Sequence, residues 1–230
     1  MVINTFEVED AGLGRNGTKL SDLAYTRILE ILFERRLPAG AFVSQNELVK
    51  MTGVPVAPLR DALRVLEADG IVTIHPRAGI EFIKPGLELT RATYQFRGII
   101  ESSAVATYAE TADDAEMLAI EVRHLQAVEA VETEGLTPVT RAELEALEEV
   151  LHNAIIASLR NPLIDSSYRR IHNYLRILRL DRRITVPLAL RSLREHLAII
   201  HACRHRNAAE AQAALQTHFS NAMQRNMGLY

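Results

Sequence analysis

Glu148 and His152 stand four positions apart in a run whose apolar residues, Leu144, Leu147, Leu151, Ile155 and Leu159, recur at helical spacing. Both side chains therefore project from adjacent turns of one helix face, and that face points inward. His196 flanks a second stripe, Leu193, Leu197 and Ile200, and His218 extends a third, Ala211, Ala214, Leu215 and Ala222. One carboxylate and three imidazoles from three helices of a bundle form a donor set for a divalent transition ion such as zinc, nickel, manganese or iron. Such a site keeps coordination positions for water or for a ligand carboxylate. Each inward histidine also suits a hydrogen-bonded core position, so spacing alone leaves both readings open. Arg97, four residues before Glu101, has the same two-sided character, being placed either to pair with that glutamate or to meet an anionic ligand.

The elements that would carry these residues fall into two groups. From about Leu87 onward helical stripes recur around 89–110, 112–134, 140–160, 162–180, 187–206 and 207–227, separated by Thr111, Gly135 to Pro138, Asn161-Pro162, Val186-Pro187 and Asn207. Six helices with short connections imply an antiparallel bundle. His172, beside Tyr168, Ile171 and Leu175, is placed either to line the same cavity or to serve as an ordinary core histidine, whereas His124, His201 and His205 read as surface residues. Arg176, Arg179, Arg182 and Arg183 form a basic run around Asp181, read as mostly a solvated face from which one arginine either reaches the pocket or meets a partner subunit.

The first third of the chain is organised differently. Leu20, Leu23, Ala24, Ile28, Ile31 and Leu32 give an amphipathic helix that ends before Pro38-Ala39-Gly40. Ser44 and Glu47 form a capping box that opens a short second helix, stopped at Gly53. Leu59, Ala62, Leu63 and Leu66 set the buried stripe of a third, with Gly70 where a left-handed residue closes it. The pattern then changes to Ile71–Ile74, a turn, and Ile80–Ile83, a two-stranded wing, before Pro85-Gly86 marks a boundary. Two helices joined by a tight glycine turn and followed by a hairpin describe a winged helix-turn-helix, whose later helix enters the major groove N-terminal end first. Arg60 and Arg64 lie off the buried stripe and are available to phosphates or guanine edges, or simply to solvent. The fold class expected is mainly α: a flexible arm over 1–17, a winged module over 18–84, a linker over 85–87 and an all-helical domain over 88–230.

Composition narrows the function classes without naming one. Between Lys19 and Lys84 nine Lys/Arg stand against eight Asp/Glu, and the whole chain carries a net charge of −3, which argues against indiscriminate nucleic-acid coating. No run approaches a membrane span, and the N-terminus lacks the order of a secretory signal, so a cytoplasmic location is expected. The single cysteine, Cys203, excludes an internal disulfide and a multi-cysteine zinc module. A helical-bundle metalloenzyme is the rival reading, but bundle di-iron sites need several carboxylates and the candidate site has one. Neither a nucleophile elbow, a phosphate loop nor a dinucleotide fingerprint is present. An effector-independent DNA-binding protein would have no use for a cavity-forming bundle.

The run from Leu37 to Ile83, with Ser44-Gln45-Asn46-Glu47-Leu48, Gly53-Val54, Pro58-Leu59-Arg60-Asp61-Ala62-Leu63 and Pro76-Arg77-Ala78-Gly79-Ile80, resembles the DNA-binding domain of GntR-family regulators. The resemblance implies DNA contacts among Ser44, Asn46, Val56, Ala57, Arg60, Arg64, Arg77 and Gly79. Pro55-Val56 replaces the family's usual Ser-Arg, so Val56 or Ala57 packing on a thymine methyl takes the place of an arginine contact. Arg97 to Glu101, Glu148 to His152 with Asn161, and Glu195-His196 to His218 resemble the helical effector domain of the FadR branch, called FCD. In that family a carboxylate and a histidine four apart, with two later histidines 22 apart, hold a metal, which carries over to Glu148, His152, His196 and His218. Glu148 stands where the family more often has aspartate. The resemblance further implies a homodimeric repressor on a palindromic or near-palindromic operator, with a small organic acid as effector near Arg97 and His172.

Overall fold

The computed structural model describes residues 19–180 and 184–228. The expected N-terminal arm and Asp181, Arg182 and Arg183 lie outside the described residues. The chain divides into two compact units, one ending at Ile83 and one starting at Lys84.

The first unit runs α1 (Leu20–Phe33), β1 (Phe42–Val43), α2 (Gln45–Thr52), α3 (Val56–Ala68), β2 (Val72–His75) and β3 (Gly79–Phe82). Helix α1 packs on α3, and the residues they bury, Ala24, Ile28 and Leu32 with Leu59, Leu63 and Leu66, are those set out by the helical periodicity. Each large one removed from water contributes roughly 1.5–3 kcal/mol. The capping box forms as expected, with the Glu47 amide donating to Ser44 Oγ at 3.2 Å and the Ser44 amide donating to Glu47 Oε2 at 2.7 Å. Gly53 closes α2 at φ 65°. Helix α3 starts at Pro55 without a side-chain cap, as the absence of Ser, Thr, Asp or Asn there requires.

The two-stranded wing forms as expected, β2 pairing antiparallel with β3, and a strand from outside the hairpin joins it. Phe42 and Val43 add a third strand, giving the order β1-β3-β2, with Phe42 opposite Glu81 and Val43 opposite Ile80. Two residues are too few for an alternating pattern to register in sequence. The turn is tight: Arg77 sits at φ 65°, and a Cβ on Gly79, at φ 155°, would come within 2.8 Å of the Val43 carbonyl oxygen. Only glycine fits there without moving β1.

The second unit contains six helices: α4 (Leu87–Thr111), α5 (Asp114–Glu134), α6 (Pro138–Ala157), α7 (Pro162–Leu180), α8 (Val186–Arg204) and α9 (Ala208–Asn226). They form the antiparallel bundle. Their starts follow local capping chemistry. Asp113 accepts from the amides of Ala115 and Glu116, Thr137 from Thr140 with Pro138 in the first turn, and Asn207 from Glu210. The principal core gathers Val105, Tyr108, Ile155, Leu175, Ile199 and Leu215 from five of the helices, while Ala127, Val131, Leu147, Ala189 and Leu193 form a second cluster. Among the described residues no helix is long and apolar enough to cross a membrane.

Candidate functional site

Helices α6, α8 and α9 bring Glu148, His152, His196 and His218 to one place in the bundle interior. One ligand-competent atom from each lies within 4.8 Å of the others, and all four residues are buried. The His196 and His218 rings stand 4.6 Å apart between centroids, and His152 is 5.4 Å from each. The Nε2 atoms of all three histidines are buried without a hydrogen-bond partner among the described residues. His196 Nε2 lies 3.3 Å from Glu148 Oε2 but does not form a hydrogen bond with it. An unsatisfied buried polar atom costs about 1–3 kcal/mol, so three converging on one carboxylate is an arrangement a core would not keep for packing alone. It is a nitrogen-rich donor set that can coordinate a divalent metal.

The opposite edges of the imidazoles are held. His152 Nδ1 is 2.5 Å from Glu101 Oε2, and His218 Nδ1 is 3.0 Å from Glu195 Oε2. Arg97, fully buried, donates from Nε to Glu101 Oε1 at 2.6 Å and reaches Glu148 Oε1 from Nη1 at 3.4 Å, while its Nη2 has no partner. Arg179 donates to the same Glu148 oxygen at 2.5 Å, and the Tyr168 hydroxyl donates to Glu101 at 3.0 Å. The guanidinium of Arg97 also lies 4.5 Å from the Phe219 ring centroid. Two guanidinium groups thus balance two carboxylates.

These surroundings fix the charge states. Burial alone would raise the Glu101 carboxyl, but Arg97 and His152 hold it at about 2. Burial works the same way on Glu148, and the guanidinium groups of Arg179 and Arg97 overcome it, keeping the group well below the ordinary carboxylate range. Glu195 is likewise raised by burial and brought to about 2 by hydrogen bonds from His218 and Arg225. Burial lowers His152 and His196 and takes His218 down to about 4. The imidazoles are therefore neutral near pH 7, as metal ligation requires.

Of the other residues singled out in the sequence, His172 is half-buried on α7 with its Nε2 3.4 Å from Glu149 Oε1, outside the group of four. Arg97 does pair with Glu101, and it also reaches Glu148. Of the basic run, Arg179 reaches Glu148 in the bundle interior, and Arg182 and Arg183 lie outside the described residues. His124 corrects the surface reading: it is fully buried, its Nδ1 2.8 Å from the Ile120 carbonyl oxygen and its Nε2 3.2 Å from His196 Nδ1. Its signal was readable, since Met117, Ile120, Ala127 and Val131 are buried at spacings of three and four that include position 124. Two Glu-x-x-His pairs, Glu121/His124 and Glu149/His152, exist in the sequence, but Glu121 pairs with Arg204 and Glu149 with His172. Neither glutamate joins the cluster.

In the first unit Arg60, Arg64, Ser44, Asn46, Val56, Ala57 and Arg77 are exposed, and Gly79 is half-buried. Arg60 Nε donates to Gln45 at 3.0 Å, and Arg64 lies 3.8 Å from Asp61. Both are weak surface contacts that leave the guanidinium groups free to be recruited.

Residues 20–82 match the family of bacterial regulatory proteins called gntR, and residues 92–221, more than half of the chain, match the FCD domain. The chain is a GntR-family regulator with an FCD effector domain. It is 22% identical over 197 residues to the HTH-type transcriptional regulator YdhC of Bacillus subtilis (strain 168), covering 86% of each protein. Its fold is shared with a GntR transcriptional regulator from Rhodococcus sp. RHA1 (TM-score 0.73, 18% identity, 91% of this chain and 98% of that one). The fold is likewise similar to that of E. coli McbR/YncC (TM-score 0.74, 14% identity, 93% of this chain and 100% of that one). The four-residue cluster lies within the segment that matches the FCD domain.

Proposed function

We propose that this protein is a FadR-branch repressor of metabolic genes whose grip on operator DNA is controlled by a small organic acid bound at a metal in the bundle interior. The observation that carries the reading is the set of three buried, unpartnered Nε2 atoms around Glu148, with the unpartnered Nη2 of Arg97 in the same network. Glu148, His152, His196 and His218 would hold the ion, and three nitrogens with one oxygen suit zinc, nickel, manganese or iron. When bound, it supplies a positive field and exchangeable coordination positions. Glu101 and Glu195 keep His152 and His218 oriented, and Arg97, with His172 on α7, would contact the acid. Glu148 is already shared by Arg97 and Arg179, so an incoming carboxylate would compete for these guanidinium groups and redistribute them.

On the DNA side, the N-terminal end of α3, presenting Val56, Ala57, Arg60 and Arg64, would enter the major groove. Ser44 and Asn46 would support it from α2, and Arg77 and Gly79 would approach from the wing. One winged module buries too little surface for tight specific binding, so a homodimer on a palindromic or near-palindromic operator is required. A coupling of about 1–3 kcal/mol between effector and DNA changes operator affinity roughly 5–150-fold, enough for a switch.

The test is a fluorescence-anisotropy titration of DNA from the regulator's own promoter region, with wild type and His196→Ala/His218→Ala. It is run with and without a panel of small carboxylates, alongside elemental analysis of the purified protein. A carboxylate that weakens operator binding in wild type and not in the double variant is the expected result. If no carboxylate alters wild-type affinity the sensing reading fails, and if the double variant keeps the response the metal has no part in it.

A further inference from the structure

A metal centre built on His152, His196 and His218 needs each imidazole to present a lone pair from Nε2. For two of them the means is visible. Glu101 faces His152 Nδ1 at 2.5 Å and Glu195 faces His218 Nδ1 at 3.0 Å. An ionised carboxylate only accepts, so Nδ1 carries the proton in both rings and Nε2 is left bare. His196 has no carboxylate on its Nδ1. In that place stands His124 of α5, whose ring meets that of His196 edge-on at 5.3 Å between centroids.

His124 is itself pinned at its far edge. Its Nδ1 lies 2.8 Å from the carbonyl oxygen of Ile120, one helical turn earlier. A carbonyl oxygen cannot donate, so that Nδ1 carries a proton. In a neutral ring the second nitrogen must then be the acceptor. The hydrogen bond of 3.2 Å between His124 Nε2 and His196 Nδ1 has only one consistent arrangement, with the proton on His196. His124 is fully buried and no carboxylate pairs with it among the described residues, so nothing compensates a positive charge on it.

We propose that His124 is a positioning residue for the metal centre: the chain Ile120 carbonyl–His124–His196 fixes His196 as the Nδ1–H tautomer, turning its Nε2 lone pair toward Glu148, His152 and His218. Without it, His196 gains by moving its proton to Nε2, where Glu148 Oε2 lies 3.3 Å away. That tautomer would occupy both the nitrogen and the carboxylate oxygen needed by the ion. The inference rests on the metal reading above, and its test separates the two.

Long-range proton–nitrogen NMR spectra of 15N-histidine-labelled, chelator-treated protein report which nitrogen of each ring carries the proton. The expected wild-type result is His196 protonated at Nδ1 and bare at Nε2. In His124→Leu the proton of His196 moves to Nε2, and zinc(II) affinity, measured by competition with a chelator, falls about 10–100-fold. In His124→Gln the amide oxygen can accept from His196 while the amide nitrogen donates to Ile120, so zinc affinity returns to within a few-fold of wild type. A purely packing role would lower the melting temperature of both variants without moving the tautomer or being rescued by glutamine. The proposal is overturned if wild-type His196 carries its proton on Nε2, or if folded His124→Leu binds zinc as wild type does. Should His124→Leu fail to fold, the wild-type tautomer and the glutamine variant decide. A wild type that shows the Nδ1–H form yet takes up none of zinc, nickel, manganese and iron refutes the metal reading and leaves the positioning of His196 standing.

Discussion

Replacing Arg97 with methionine should unbalance the bundle interior. The side chain is fully buried, with Nε 2.6 Å from Glu101 and Nη1 3.4 Å from Glu148. Methionine keeps much of the volume beside Phe219 but removes the charge. Glu148 retains Arg179, whereas Glu101 is left with a neutral imidazole and a phenol hydroxyl. An uncompensated buried carboxylate of this kind costs about 3–5 kcal/mol. For a unit of this size, about 2–4 °C is lost per kcal/mol, so the melting temperature should fall by roughly 6–20 °C. Adding Glu101→Gln removes the stranded charge and should recover about 1–3 kcal/mol, a coupling that marks the pair as one unit. Chelator-treated protein unfolded in urea and followed by far-UV circular dichroism gives both numbers. A loss below about 1 kcal/mol for Arg97→Met, or strict additivity in the double variant, would refute the argument that charge balance rather than packing governs this region.

Acid should loosen the bundle before its carboxylates titrate. Unfolded histidines take up protons near 6.5, whereas His218 and His124 refuse them until about 4, so the unfolded state binds more protons and stability falls as pH drops between those values. For His218 the loss is on the order of 3 kcal/mol, and equal urea midpoints near pH 7 and pH 5 would contradict it. Below about 4.5 the loss continues through Glu101 and Glu195, both held at about 2. Gly79→Ala drives a Cβ to within 2.8 Å of the Val43 carbonyl and should destabilise the wing by about 1–3 kcal/mol, read as faster amide exchange in β1 and β3. Arg60→Ala should weaken operator binding by about 1–3 kcal/mol if it holds a base, or all DNA alike if it holds a phosphate, and unchanged affinity at several salt concentrations would remove α3 from the groove.

Much of this was legible in the sequence because the relevant physics is local. The capping box at Ser44 and Glu47, the breakers between bundle helices, and the four-residue step from Glu148 to His152 depend on neighbours along the chain, and the helices follow them within a few residues. The convergence of Glu148, His152, His196 and His218 was suggested by their stripes, but what faces them was not. Glu101 holding His152, Glu195 holding His218, Arg179 reaching Glu148 and His124 backing His196 are contacts between helices distant in sequence, and even where a stripe marks the inward face, as at His124, it does not name the partner across it. Strand β1 escaped for the opposite reason: two residues acquire strand geometry only by pairing with β3.

The same distance along the chain bears on how the bundle folds. Every helix contributes a polar side chain to its centre, and the bonds there join residues 51 positions apart for Glu101 and His152, 67 for Glu101 and Tyr168, and 72 for His124 and His196. Contacts of that span carry a large loop-closure cost and form late, when most apolar surface is already covered. Interactions absent from the folding transition state act on the unfolding rate and leave the folding rate nearly untouched. Whatever fills or tightens this centre would therefore lengthen the life of the folded bundle rather than hasten its birth, making its occupancy a determinant of how long each regulator molecule persists.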